Sequence, residues 1–172
     1  MLRFIVCEDN KDFLGRLCNV INRIMMPYNF EYKISKFANY TKEVSEIIKR
    51  KNEQKVYVLD IELGEVSGLE IASHIRENDL ESIIIFVTAH NECRNDIFYS
   101  RLLAIDYIPK DRFWESRFES TMIHTVKAIN KRNIPWILVN TSLLFENINI
   151  FKIIPHTNEN GYNEKIIEKE LL

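Results

Sequence analysis

Residues 56–76 read VYVLDIELGEVSGLEIASHIR, and their order decides the fold class. VYVLD is a nearly continuous apolar run that stops at an acid, Asp60. A strand without polar alternation suits a position covered on both faces, as in a parallel sheet. A loop holding Gly64 and Gly68 follows, and Leu69, Ala72 and Ile75 then recur at helical spacing. The stretch is one strand-then-helix unit with an acid at the carboxyl end of its strand.

The unit repeats on either side. Upstream, LRFIVC (2–7) ends in Glu8-Asp9, and Phe13, Leu17, Val20, Ile21 and Ile24 mark a helix face that stops before Pro27. EYKISKFA (31–38) is a weaker strand, and Thr41 caps a helix that buries Val44, Ile47 and Ile48. Downstream, SIIIFVTA (82–89) is the most hydrophobic strand, NECRNDIFYSRLL (91–103) a polar helix and AIDYIP (104–109) a fifth strand. Trp114, Phe118, Met122, Val126 and Ile129 give a final helix. Five such units predict an α/β fold: a doubly wound five-stranded parallel sheet, because parallel neighbours need crossover connections. Right-handed crossovers leave only a few topologies. In these, ligands bind beyond the carboxyl ends of the strands, where the strand order reverses.

The whole chain has 172 residues, 46% hydrophobic and 28% charged, which suits one domain with a short appendage. Lys+Arg at 23 against Asp+Glu at 25 gives a net charge of −2, so no global field drives it onto nucleic acid or an anionic membrane. No apolar run approaches the ~18 residues of a membrane span, and the N-terminus shows no secretion signal. Cys7, Cys18 and Cys93 form no CxxC pair and read as reduced thiols of a cytoplasmic protein.

The strand ends carry the chemistry. Strand one delivers Glu8 and Asp9, strand three Asp60, strand four Thr88 and strand five Lys110. Singly, each has a plain structural reading as a turn residue, a helix cap or a solvated lysine. Jointly, the fold brings all five to one rim. Two carboxylates ~5 Å apart repel by about 3 kcal/mol at an effective dielectric of about 20, so the cluster demands a cation or a proton. Hard oxygen donors without His or Cys point to Mg²⁺ rather than zinc. A carboxylate can itself attack phosphorus, with a nearby lysine and hydroxyl binding the phosphoryl oxygens. The pattern predicts phosphoryl transfer to Asp60.

On Glu8-Asp9, VYVLDIELGEVSGLEIASHIRE, IIIFVTAH, DYIPK and Gly68, eight positions after Asp60, the sequence resembles the receiver domain of two-component response regulators. The wording of DIELGEVSGLEIASHIRE and FVTAH is most similar to receivers of the LytTR, accessory-gene-regulator-like class. The resemblance implies a flavodoxin-like (βα)5 fold over residues 1–132 and a sensor histidine kinase as phosphodonor. It implies Asp60 as the phosphorylated aspartate. Mg²⁺ would be held by Asp9, Asp60, Glu8 directly or through water, and the backbone carbonyl of Glu62. Thr88 and Lys110 would bind phosphoryl oxygens. Thr88 and Tyr107 would form the switch, Tyr107 rotating inward as Thr88 moves; a plain strand tyrosine is the other reading. The face of the fourth helix, fifth strand and fifth helix would then serve a homodimer, carrying Phe98, Leu102, Tyr107 and parts of the 113–129 helix. Two positions depart from the family pattern: Gly64 and Asp111 stand where most receivers have proline, and the second makes a cis peptide after Lys110 costly.

Residues 133–172 read as a tail without a motif of the LytTR output domain. It holds the bases Lys152, Lys165 and Lys169 against the acids Glu146, Glu159, Glu164, Glu168 and Glu170, an acidic balance wrong for phosphate-backbone contact. DNA binding is therefore not expected from this chain alone. The tail is expected to be a truncated output domain, with a partner-binding extension as the other reading. Three functions compete: a phosphorylation-controlled regulator, a phosphorylation-independent interaction module (or a non-functional truncated regulator), and a phosphatase of the haloacid-dehalogenase type. The last needs a second Asp two after the first, where this chain has Glu62. The only chemistry expected is self-phosphorylation and self-dephosphorylation.

Overall fold

The computed structural model describes residues 1–90 and 102–130. Nine elements follow in order: β1 (Leu2–Cys7), α1 (Lys11–Met25), β2 (Tyr32–Phe37), α2 (Lys42–Lys49), β3 (Gln54–Leu59), α3 (Gly68–Asn78), β4 (Ile83–Thr88), β5 (Asp106–Pro109) and α4 (Trp114–Asn130). The helix expected over 91–103, apart from its last two residues, and the tail lie outside the described residues, as do Cys93, Phe98 and every reading of the tail's role.

The strands form one parallel sheet in the order β2-β1-β3-β4-β5. Strand order reverses at β1, so the crevice above β1 and β3 is the binding position for this topology. β1 is buried along its whole length. Its alternate residues serve two cores, as the near-continuous apolar runs require. Phe4 and Val6, with Val56 and Val58, face Leu17, Val20 and Ile21 of α1 and Phe118, Met122 and Val126 of α4. Ile5 and Cys7, with Tyr57 and Leu59, face Val44, Ile47 and Ile48 of α2 and Ile71, Ala72 and Ile75 of α3. In α3 the stripe differs by one residue from the sequence reading, since Ile71 is buried and Leu69 only partly so. In the edge strand β2, Ser35 and Phe37 are the buried residues, which explains its imperfect apolar alternation.

The helices begin where their caps place them. Asn10 Oδ1 accepts from the amides of Asp12 and Phe13, and Thr41 Oγ1 from that of Val44. Ser67 and Glu70 form a reciprocal capping box at the start of α3. At the amino end of the sheet, opposite the carboxylate rim, two ion pairs are sunk into the fold. Arg3 bonds Glu53 and Ser35, and the fully buried Lys55 bonds Asp79 at 2.6 Å and the Ile48 carbonyl at 3.0 Å. No helix among the described residues is long and apolar enough to cross a membrane.

Candidate functional site

Parallel register carries the chemistry-bearing residues to one rim. Cys7 pairs with Leu59, so Glu8 and Asp60 each stand one step beyond a paired position, and the Asp60 amide bonds the Cys7 carbonyl at 2.9 Å. Thr88 pairs with Pro109, and the Lys110 amide bonds the Thr88 carbonyl at 2.8 Å. Of the residues expected there, the fold brings together Glu8, Asp9, Asp60, Thr88 and Lys110.

Glu8, Asp9 and Asp60 offer carboxylate oxygens within 4.8 Å of one another. Glu8 and Asp60 are buried, and Asp9 opens to solvent. Asp60 Oδ1 accepts from the Ile61 amide at 2.7 Å and the Glu62 amide at 3.4 Å, while Oδ2 accepts from Lys110 Nζ at 2.6 Å. Glu8 Oε1 accepts from the same ammonium at 3.0 Å and from the Asn10 amide at 3.3 Å. Glu8 Oε2 lies 2.8 Å from it without an aligned hydrogen bond. Burial pushes the Glu8 carboxyl above its usual range, and the bond from Lys110 draws it partly back. Burial would lower the Lys110 ammonium, but its bonds to Asp60 and Glu8 outweigh that and hold it above the usual lysine value. Burial pushes the Cys7 thiol, just before Glu8, up to about 12, so it stays protonated and inert.

Thr88 is fully buried, and its Oγ1 accepts from the His90 amide at 3.3 Å. The Glu62 carboxylate takes no place in the cluster; it is exposed and pairs with the His90 ring at 2.9 Å. Tyr107 lies in register with Phe86, buried in the same core cluster as Leu102. The stripe read from the sequence, Trp114, Phe118, Met122, Val126 and Ile129, turns onto the other core cluster and covers that side of the sheet.

Two glycines shape the loop above Asp60. A Cβ on Gly68 would sit 1.9 Å from the Asp60 carbonyl oxygen, so the turn into α3 closes against the acid only with glycine there. Gly64 has φ +77°, which a proline ring, fixed near −65°, does not adopt. The departure from proline at 64 is thus a different loop conformation that leaves the carboxylates in place. No cis peptide occurs among the described residues. Sequence reasoning missed one neighbour of the site: the Phe13 ring lies under the Lys110 ammonium, 4.6 Å from nitrogen to centroid. The two residues stand far apart in the chain, so the local pattern carries no signal of their contact.

The receiver domain model of response regulators matches residues 4–117. The chain belongs to the response regulator receiver domain family. Among curated relatives of this receiver, accessory gene regulator protein A of Staphylococcus epidermidis is 32% identical over 111 residues, 64% of this chain and 47% of the relative. The protein of the same name from Staphylococcus aureus is 31% identical over the same length, and covers the same shares. The chain spans about half the length of the curated relatives it matches. Among solved structures, response regulator TrrA of Thermotoga maritima, in complex with Mg²⁺-BeF, is 26% identical with a TM-score of 0.51, over 72% of this chain and 99% of that one. A CheY-like receiver of Methanospirillum hungatei shares the fold at 16% identity and a TM-score of 0.61, over 77% of this chain and 99% of that one.

Proposed function

We propose that this receiver accepts a phosphoryl group on Asp60, in a Mg²⁺-dependent reaction, from a sensor histidine kinase or a small phosphodonor. The observation that carries the reading is the convergence on Asp60: two further carboxylates, the Lys110 ammonium at 2.6 Å and the end of β4 with Thr88. The donor set fits Mg²⁺. Its oxygens are hard, three carboxylates approach one another with a single ammonium among them, and Glu8 Oε2 has no aligned hydrogen bond. Glu8, Asp9 and Asp60 would hold the ion with the Glu62 carbonyl. When bound, Mg²⁺ offsets the charge of carboxylates and incoming phosphate.

The chain's own residues do the rest. The Ile61 amide fixes Asp60 Oδ1 and leaves Oδ2 as the nucleophile toward phosphorus. The new P–O bond forms as the bond from phosphorus to the donor's leaving atom breaks, and that atom departs with the electron pair. Lys110 moves from carboxylate to phosphoryl oxygen, and Thr88 Oγ1 donates to another. Water later reverses the addition by attack on the same phosphorus, returning Asp60 and releasing inorganic phosphate. The chain acts as its own substrate, not as an enzyme on others. The curated relatives are named as gene regulators, and a role in transcription control is part of this reading; the readout we propose is a change of interaction surface through Thr88 and Tyr107, ending in a homodimer. Labelling by acetyl phosphate should require the cation: intact mass should gain one phosphoryl group in Mg²⁺ and none after chelation. Equal labelling in both would contradict the metal's role.

A further inference from the structure

The reading of Asp60 leaves the orientation of Lys110 unexplained, since an ammonium on four methylenes can sweep widely. Two of its three N–H directions go to Asp60 and Glu8, and these bonds must loosen when phosphate arrives. A third restraint is aromatic. The Phe13 ring stands 4.6 Å from Lys110 Nζ, within cation–π range, and the lysine side chain is only 16% exposed. Phe13 is itself fixed three ways. Its amide bonds the cap Asn10 at 3.0 Å, one residue past Asp9. Its ring packs on the buried Trp114 at 4.5 Å between centroids. The Arg16 guanidinium covers both rings, 4.8 Å from Trp114 and 5.6 Å from Phe13.

We propose that Phe13 is a positioning residue for phosphoryl acceptance: its π face holds the Lys110 ammonium over Asp60 and keeps water from it. The proposal rests on Asp60 being the phosphoacceptor. The ring does not touch the reacting atoms. Its quadrupole attracts the ammonium without consuming a hydrogen-bond donor, so all three N–H groups stay available to the carboxylates and then to the transferred phosphoryl oxygens. An aliphatic side chain of similar bulk would fill the space and lose this hold.

The rate of Asp60 labelling by acetyl phosphate in saturating Mg²⁺ tests this, read by intact mass on wild type, Phe13→Leu and Phe13→Tyr. Phe13→Leu should label about fivefold more slowly, which is ~1 kcal/mol at 1.4 kcal/mol per tenfold. Phe13→Tyr, which keeps the π face, should stay within about twofold of wild type. In a Lys110→Ala background, Phe13→Leu should produce no further slowing, because its effect runs through the ammonium. Circular dichroism on each variant confirms that the folded protein is being compared, and the tyrosine variant carries the test if leucine unfolds the chain. A leucine variant that labels at the wild-type rate would overturn the proposal. So would a folded tyrosine variant that is fivefold slow, or equal slowing by leucine with and without Lys110. Unlabelled wild type would instead overturn the phosphoacceptor reading itself.

Discussion

Gly68 shows how one atom governs the site. Its amide bonds the Ile61 carbonyl at 2.8 Å, and its missing Cβ is the space taken by the Asp60 carbonyl. The blocking atom is backbone, so no rotamer change relieves the clash. Gly68→Ala should therefore cost about 3 kcal/mol or more, the upper end for overpacking, and should displace Asp60. Urea unfolding of the variant checks it; a midpoint within experimental error of wild type would mean that the turn moves freely. The residue scale is also where the sequence was most legible. Strand-end chemistry at Glu8, Asp9, Asp60, Thr88 and Lys110 follows from where apolar runs stop, and a local pattern carries that information. The Phe13–Lys110 contact spans residues far apart in the chain, so nothing in the local pattern shows it.

Between elements, polar contacts at the amino end of the sheet lock the helices in place. Arg76 of α3 donates to the carbonyls of Leu102, Leu103, Asp79 and Ser82, tying the end of α3 to the approaches of β4 and β5. Asp79 accepts from Lys55 and from both the amide and hydroxyl of Ser82. Burial alone would raise the Asp79 carboxyl, but the bonds from Lys55 and Ser82 outweigh it and hold it below the usual aspartate range. Just above the lowered folded value, the unfolded chain binds the proton more readily, so stability rises with pH there. The contribution is complete above the ordinary aspartate value and is lost as pH falls through the folded one. Asp79→Asn leaves the buried Lys55 charge uncompensated and should cost about 3 kcal/mol near neutral pH. Urea midpoints taken from about pH 6 down to about pH 3 should show wild type losing its advantage over the variant. An advantage independent of pH would contradict the pair's role. The helices were legible because each buries one face, and the central strands because burial on both faces makes their apolar runs nearly continuous. Lys55 was not, since the sequence of β3 gives no sign that a lysine at its start finds both a carboxylate and a carbonyl inside.

At the scale of the molecule, phosphorylation must be read at a distance from Asp60. Adding about −1.5 to −2 charges creates a demand for donors that Thr88 and Lys110 can meet. Shifting a two-state equilibrium from 1:99 to 99:1 takes ~5.5 kcal/mol, within reach of a few charge-assisted hydrogen bonds at ~1.5–3 kcal/mol each. Leu102 and Tyr107 are buried in the present state, so the proposed dimer face must be re-formed before it can pair. Beryllofluoride should therefore raise the sedimenting mass of wild type and leave that of Thr88→Ala unchanged, while Asp60 in the variant still takes label. Equal mass for wild type with and without the mimic would rule out this route. All of it depends on one acid. Intact-mass measurement of wild type and Asp60→Asn, each incubated with acetyl phosphate and Mg²⁺, tests that most directly. Wild type should gain one phosphoryl group and the Asn variant none; equal labelling of the two would show that Asp60 is not the acceptor.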